Sequence, residues 1–365
     1  MNMVEWKAIG EISNIIRGNR VTKSDLVEDG QYPVISGGVS PLGYREPHTI
    51  TIAQYGSAGY VDLQKKHFWA NDVCYSVYPK DGLLNMYLYY YLKNKQRDIY
   101  SLRTNAVPAH LPQKELARIQ IPIPSLSEQT RIVEILDTFS SSIENLKQQI
   151  SERRKQYEHY RDELLDLEGK EGVEMKTLGD VCEIKGEYGL SVPSKPFDGV
   201  RYIRITDITD SGTLNNDYVS ADCGEVDKEP LKDGDILFAR TGATVGKTLI
   251  YLKQYGDCLY AGYLIRYRIK HDIALPKYVF HFTHSNQYNL WVKSNLVEGA
   301  QPNINAQKYN SLAIPVPSLS EQSRIVSILD TFEASIANLE AQLKEREKQY
   351  EYYRNKLLTF PGKPE

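Results

Sequence analysis

The chain has 365 residues, 41% hydrophobic and 25% charged, with a formal net charge of −3. That length gives room for two or three domains, each with a core, and the composition is that of an ordinary soluble protein. No apolar run approaches a membrane span, and Met1-Asn2-Met3-Val4-Glu5-Trp6-Lys7 is no secretory leader, so the expectation is a cytoplasmic protein with no membrane partner.

Cys74, Cys182, Cys223 and Cys258 are scattered without Cys-x-x-Cys spacing, which argues against a metal site and a disulfide framework. By segment the net charge is +3 over 1–121, −4 over 122–168, and −1 over both 169–315 and 316–365. None is basic enough to announce nucleic acid by bulk charge, so contact with DNA has to come from a local patch.

Residues 1–121 read as a first globular unit. Trp6–Ile12 is a short lead-in, and Gly30–Gly38 reads as turn, strand, turn. Thr49–Ala53 is β-branched and predicts a strand running into the Gly-rich turn Gln54-Tyr55-Gly56-Ser57-Ala58-Gly59-Tyr60. Phe68–Tyr78 is strand-rich, Leu83–Lys95 predicts a helix, and Val107-Pro108-Ala109-His110-Leu111 leads out of the unit.

Residues 122–168 carry a long helix. Pro122 and Pro124 favour an extended approach, and Ser125 with Glu128 has the spacing of a capping box. Apolar positions then recur in steps of four and three at Ile132, Leu136, Phe139, Ile143, Leu146 and Ile150, with Arg153 interrupting before Tyr157, Tyr160 and Leu164. A helix of about 40 residues is roughly 60 Å long and cannot bury its own stripe.

Residues 169–315 repeat the globular plan with different content. Met175–Val181 echoes the lead-in, Tyr202–Ile208 and Gly234–Arg240 predict strands, and the second runs into the turn Thr241–Lys247. Tyr263–Ile269 predicts a strand and Lys277–Leu290 a helix, and Gly299–Asn305 takes the place of Pro108–Leu111. Residues 316–365 carry the second long helix, with Ser318 and Glu321 at its start and a seam of Ile325, Leu329, Phe332, Ile336, Leu339, Leu343, Arg346, Tyr350, Tyr353 and Leu357. Stretches 121–165 and 314–358 align without a gap at roughly two-thirds identity, an internal repeat. Two seams in one chain can satisfy each other, so an intramolecular pair is expected over a generic dimerising coiled coil. Arg153 and Arg346 either pair with carboxylates across that seam or reach outward to solvent.

Catalytic chemistry is hard to find. Gly242–Thr248 has three residues between its glycines where a phosphate-cradling P-loop has four. Asp180 with Glu183 and Lys185 has the residue types of a nuclease cluster at the wrong spacing, and a solvated strand end is the plainer reading. His281 and His284 lie three apart on a helix with no third ligand spaced to them, which favours a packed or surface pair over a metal site. No catalytic residue, metal or cofactor is therefore expected.

On these residues the chain resembles the specificity (S) subunit of Type I restriction–modification enzymes. The resemblance rests on the duplicated Ile-Pro-x-Pro-Ser-Leu-x-Glu-Gln-x-Arg-Ile starts at Ile121 and Ile314, and on Gly234–Gly242 with Gly246-Lys247. Tyr32-Pro33-Val34, Ser36-Gly37-Gly38, Gly43-Tyr44 and Gly56–Val61 match another subclass of recognition domain. It implies a mixed α+β fold in which target recognition domains 1–121 and 169–315 alternate with helical spacers 122–168 and 316–365. The helices would pair as an antiparallel coiled coil that relates the halves by a pseudo-twofold axis. It also implies a non-catalytic subunit that reads an asymmetric bipartite site in double-stranded DNA. That subunit would dock two adenine-methylating M subunits and, in the full complex, R subunits.

The DNA-contact candidates are Arg240, Thr241, Lys247, Gln301, Asn303 and Asn305 in the second domain. In the first they are Gln54, Tyr55, Ser57, Lys65, Lys66 and His110. Arg suits guanine edges, Asn and Gln suit adenine, and Lys suits phosphate. The competing reading for each is turn formation or domain-to-helix packing. The rival function is a coiled-coil scaffold or decoy without sequence readout, which would show no salt-dependent DNA binding.

Overall fold

A computed structural model describes residues 4–20, 24, 34–35, 47–224, 230–296 and 301–362. The chain divides into two units, Met1–Gln148 with Glu340–Glu365, and Gln149–Leu339. The division falls inside both long helices, Leu126–Leu165 and Leu319–Leu357, so each unit holds one globular part and a segment of each helix.

The first unit is built on a four-stranded antiparallel sheet in the order Ser13–Arg17, Cys74–Pro79, Thr49–Ala53, Val61–Gln64. Every residue of Thr49–Ala53 is buried, as in a central strand covered on both faces. Glu5–Ala8 pairs antiparallel with Gln120–Ile123, closing the globular part where the long helix begins, and Val34–Ile35 runs parallel to Trp69–Ala70. Asn85–Asn94 packs its buried face, Tyr87, Leu88, Tyr91 and Leu92, into the core. Of the motif stretches Tyr32–Gly38 and Gly43–Tyr44, only Val34 and Ile35 lie within the described residues.

The second unit repeats this plan. Its four-stranded sheet runs Cys182–Tyr188, Leu264–Ile269, Ile236–Ala239, Thr248–Ile250. Glu174–Thr177 pairs with Ala313–Val316, and Arg201–Ile203 runs parallel to Cys258–Tyr260. A pair without counterpart among the described strands of the first unit, Ser194–Pro196 with Val219–Ala221, is added on. The duplication seen in the helices therefore extends through the globular parts.

Two sequence expectations are corrected. Lys277–Leu290 is not one helix but two, Pro276–Phe282 and Asn286–Ser294, because the Ser285 side chain accepts the Tyr288 N–H and starts a new helix. Tyr202–Ile208 is a strand only to Ile203; Ile205–Asp207 is a 3₁₀ turn in which the Asp207 carboxylate accepts from the Arg204 N–H and guanidinium.

Each long helix is tied to its own globular part by the same contacts. Ile132 and Leu136 are fully buried in the first core with Leu358, and Ile325 and Leu329 in the second with Leu165. Full burial of each such side chain stabilises by about 1.5–3 kcal/mol. Gln129 and Gln322, both wholly buried, are clamps that were not singled out from the sequence. Gln129 donates to the Gly82 and Pro124 carbonyls and accepts from the Leu84 N–H. Gln322 does the same with Ile273, Pro317 and Leu275. Tyr87 donates to the Pro122 carbonyl at 2.9 Å, and Tyr278 to that of Pro315 at 2.7 Å.

The capping boxes form by half. Ser125 and Ser318 accept the N–H of Glu128 and Glu321, but those carboxylates turn to Arg131 and Arg324 as two-pronged ion pairs. Within each unit the helix segments run antiparallel. In the first, Phe139 stacks on Tyr353 at 5.3 Å while Lys147 meets Glu347. In the second, Phe332 stacks on Tyr160 at 5.5 Å and Glu333 accepts from Tyr157. Ile143, Leu146, Ile336 and Leu339 are half-buried. The seam arginines lie over aromatic rings of the other helix: Arg346 on Phe139 at 5.7 Å and Arg153 on Phe332 at 5.8 Å.

Candidate nucleic-acid interface

In the second unit, strand Ile236–Ala239 ends at Arg240 and turns through Gly242–Thr244. Ala239 donates to Lys247 O, Gly246 to Ala239 O, and Lys247 to Thr244 O, which closes the turn. The amides of Gly242, Gly246 and Lys247 are thus all spent within the protein, since Gly242 donates to Pro302 O, and none is left to cradle a phosphate.

The segment before helix Ala306–Asn310 runs alongside. Ile304 donates to Arg240 O at 2.8 Å, Thr241 bridges to Asn303, and Thr241 Oγ1 donates to Pro302 O. Arg240, Thr241 and exposed Gln301 and Asn303 therefore converge. Asn305, also exposed, caps the helix by accepting the Lys308 N–H at 2.9 Å. Lys247 is ion-paired with Asp210 at 2.6 Å, an interaction that holds the Asp210 carboxyl below the usual carboxylate range.

The first unit builds the same turn one residue shorter. Ala53 donates to Tyr60 O, Gly59 to Ala53 O, Tyr60 to Ser57 O, and Leu111 to Gln54 O at 2.9 Å. By these bonds Gln54 is the counterpart of Arg240, Tyr55 of Thr241, and His110 of Asn303. Tyr55 stacks on His110 at 5.3 Å, and Thr104 Oγ1 lies 3.0 Å from His110 Nδ1. Gln54 is 8% exposed, and its Oε1 is buried with no hydrogen-bond partner. Ser57 is half-buried within the turn. Lys65 and Lys66 are exposed at the far end of strand Val61–Gln64, and Lys65 pairs with Glu144 of the long helix at 3.0 Å.

Asp180 and His281 both have partners within the protein. Asp180 caps its own short helix with Thr177, in a reciprocal capping box. His281 is buried, with Nε2 3.1 Å from Asp330 and Nδ1 3.6 Å from Glu333. These three could approach one metal ion, but Lys277 already sits on the same Asp330 oxygen at 2.7 Å. Burial raises the Asp330 carboxyl, and the bonds from His281 and Lys277 more than offset this and lower it. The position equivalent to His281 in the first unit is Tyr90, which donates to Asp137 at 2.5 Å. In each unit the group joins the globular part to its long helix about three turns from the start.

The comparisons with known proteins follow this architecture. The family profile described as "Type I restriction modification DNA specificity domain" matches residues 3–153 and 170–348. A Haemophilus influenzae protein described as a putative type I restriction enzyme specificity subunit is 32% identical, over 98% of this chain and 96% of its own length. The EcoR124I/EcoR124II specificity subunit of Escherichia coli is 29% identical, over 99% and 95%. The crystal structure of an S subunit from M. genitalium superposes with a TM-score of 0.70 over 100% of this chain and 98% of that one, at 20% identity. A duplicated α+β unit joined by long helices, with a strand-end turn displayed in each copy, is the fold of a DNA-specificity subunit. This chain belongs to the Type I restriction–modification specificity-subunit family. Among the described residues no helix is long and apolar enough to cross a membrane.

Proposed function

We propose that the chain is the DNA-recognition subunit of a Type I restriction–modification enzyme and that each unit reads one half of an asymmetric, bipartite target. The observation that carries this reading is the turn pair. One backbone arrangement occurs twice, held by equivalent hydrogen bonds, with Tyr55 and His110 on one copy and Arg240, Thr241 and Asn303 on the other. Equal scaffolds with unequal side chains suit two half-sites of different sequence.

In this reading residues 1–121 and 169–315 are the recognition domains, and 122–168 and 316–365 set the distance between half-sites. About one DNA turn, roughly 34 Å, suits domains reading one face of the duplex. The chain supplies no catalytic group. Methylation at adenine N6 belongs to M subunits docked on it, two by the duplication, and ATP-dependent cleavage to R subunits of the full complex. Exposed Lys66 is on hand for phosphates, and Lys65 and Lys247 are too once Glu144 and Asp210 are displaced.

The test is co-expression with the M subunit and a map of N6-methyladenine across the host genome. A split motif with a fixed gap, methylated only when both chains are present, is the expected result. A complex that assembles and leaves the genome unmethylated would favour the scaffold or decoy instead.

A further inference from the structure

Arg240 differs from the other arginines of its domain. Of the five between 169 and 315, Arg201 donates to the carbonyls of Asn215 and Asp217, and Arg204 binds Asp207 and Asp217. Arg266 meets Glu187, and Arg268 holds Asp235 through two nitrogens at 2.7 and 2.9 Å. The Arg240 guanidinium meets no described carboxylate or carbonyl, and its Nε, like that of Arg201, is buried without a hydrogen-bond partner. What holds it is an aromatic platform: the guanidinium lies 5.0 Å from the centre of the Tyr188 ring.

Both ends of that arrangement are fixed. The Arg240 N–H donates to Tyr263 O and its carbonyl accepts from Ile304, so the backbone is locked on both sides. Tyr188 Oη accepts the N–H of Ala306, at the first turn of the short helix that Asn305 caps. A planar donor fork on a fixed ring, with no carboxylate to satisfy it, is complementary to a planar surface bearing two acceptors. In duplex DNA the major-groove edge of guanine, O6 with N7, is that surface. A phosphate would also take an arginine, but it requires neither the platform nor the coplanar fork.

We propose that Arg240, positioned by Tyr188, reads a guanine in the half-site of the second unit. This rests on the chain being a DNA-recognition subunit. The test maps N6-methyladenine in cells carrying the M subunit with the native chain, Arg240→Lys or Arg240→Gln, alongside DNA binding by the purified complexes at several salt concentrations. The native motif should hold an invariant guanine in one half. In both variants that position should become degenerate while the other half is unchanged, and affinity for the guanine site should drop about 5- to 150-fold. Arg240→Lys keeps the charge, so losing guanine preference in that variant separates base reading from phosphate contact. Tyr188→Leu should weaken the same preference to a lesser degree.

The assignment is overturned if both variants keep the native motif. It is equally overturned if Arg240→Gln weakens all sites evenly, lowers the salt slope by about one and is matched by a normal Arg240→Lys. A native complex that methylates nothing would sink the underlying reading and this assignment with it. Native methylation with an unaltered motif in the variants would sink the assignment alone.

Discussion

The turn at Gln54–Tyr60 and the turn at Arg240–Lys247 hang on the same backbone bonds: Gln54 donates to Val73 and Arg240 to Tyr263, while Leu111 donates to Gln54 and Ile304 to Arg240. Their side chains are unrelated. In the first, the rings of Tyr55 and His110 stack, both half-buried, and the side chain of Gln54 is buried. In the second, a guanidinium on a tyrosine platform stands beside exposed carboxamides. The difference separates two jobs that one loop usually mixes. Main-chain hydrogen bonds fix the shape, which leaves the side chains free to diverge without disturbing the fold.

Breaking the shared part should hurt both units alike. A Cβ on Gly18 would sit 2.1 Å from the Asn71 carbonyl oxygen, and one on Gly189 would sit 2.3 Å from those of Ala261 and Tyr260. No L side chain fits where these strands cross the loop. Gly18→Ala and Gly189→Ala should each cost about 3 kcal/mol or more, seen as a fall of about 6–12 °C in the melting of the unit concerned. A variant tolerated in one unit and not in the other would deny that the two scaffolds are equivalent.

A smaller effect should tell the units apart. Lys93 and His284 occupy equivalent places, each half-buried and bonded to a carbonyl, Lys93 to Val61 and His284 to Phe280. Burial lowers both, Lys93 from its ordinary 10.5 and His284 to about 4 from its ordinary 6.5. Since the folded value of His284 is the lower one, the unfolded chain takes the proton first as pH falls. Its share of stability is intact above pH 6.5 and declines towards pH 4, by about 1–3 kcal/mol in the second unit only. Melting curves across that range should show the loss, and His284→Gln should remove it; an unchanged slope in that variant would refute the assignment.

The helices were legible in the sequence because a heptad seam free of Gly and Pro has few other ways to fold. The turns were legible as turns from Gly56, Gly59, Gly242 and Gly246. That they are one element was not, because what they share is main-chain bonding, and the strands that enter them, Thr49–Ala53 and Ile236–Ala239, are both buried throughout with different residues. Gly18 and Gly189 sit in unlike neighbours, Arg-Gly-Asn and Tyr-Gly-Leu, so nothing in the chain marked them as a pair. Gln129 and Gln322 did recur in the repeat, but as members of a helix start; only the fold turns them inward. The break at Ser285 needed a cap in competition with a helical pattern. The platform under Arg240 joins residues 52 positions apart, a distance no local pattern spans.

The central claim is that the two turns read separate halves of one target. The direct measurement is the methylation map of the complex after residues 1–121 are replaced by another domain of the same kind. The account predicts that one half of the motif changes while the gap and the other half persist. A change in both halves, or in neither, would contradict it.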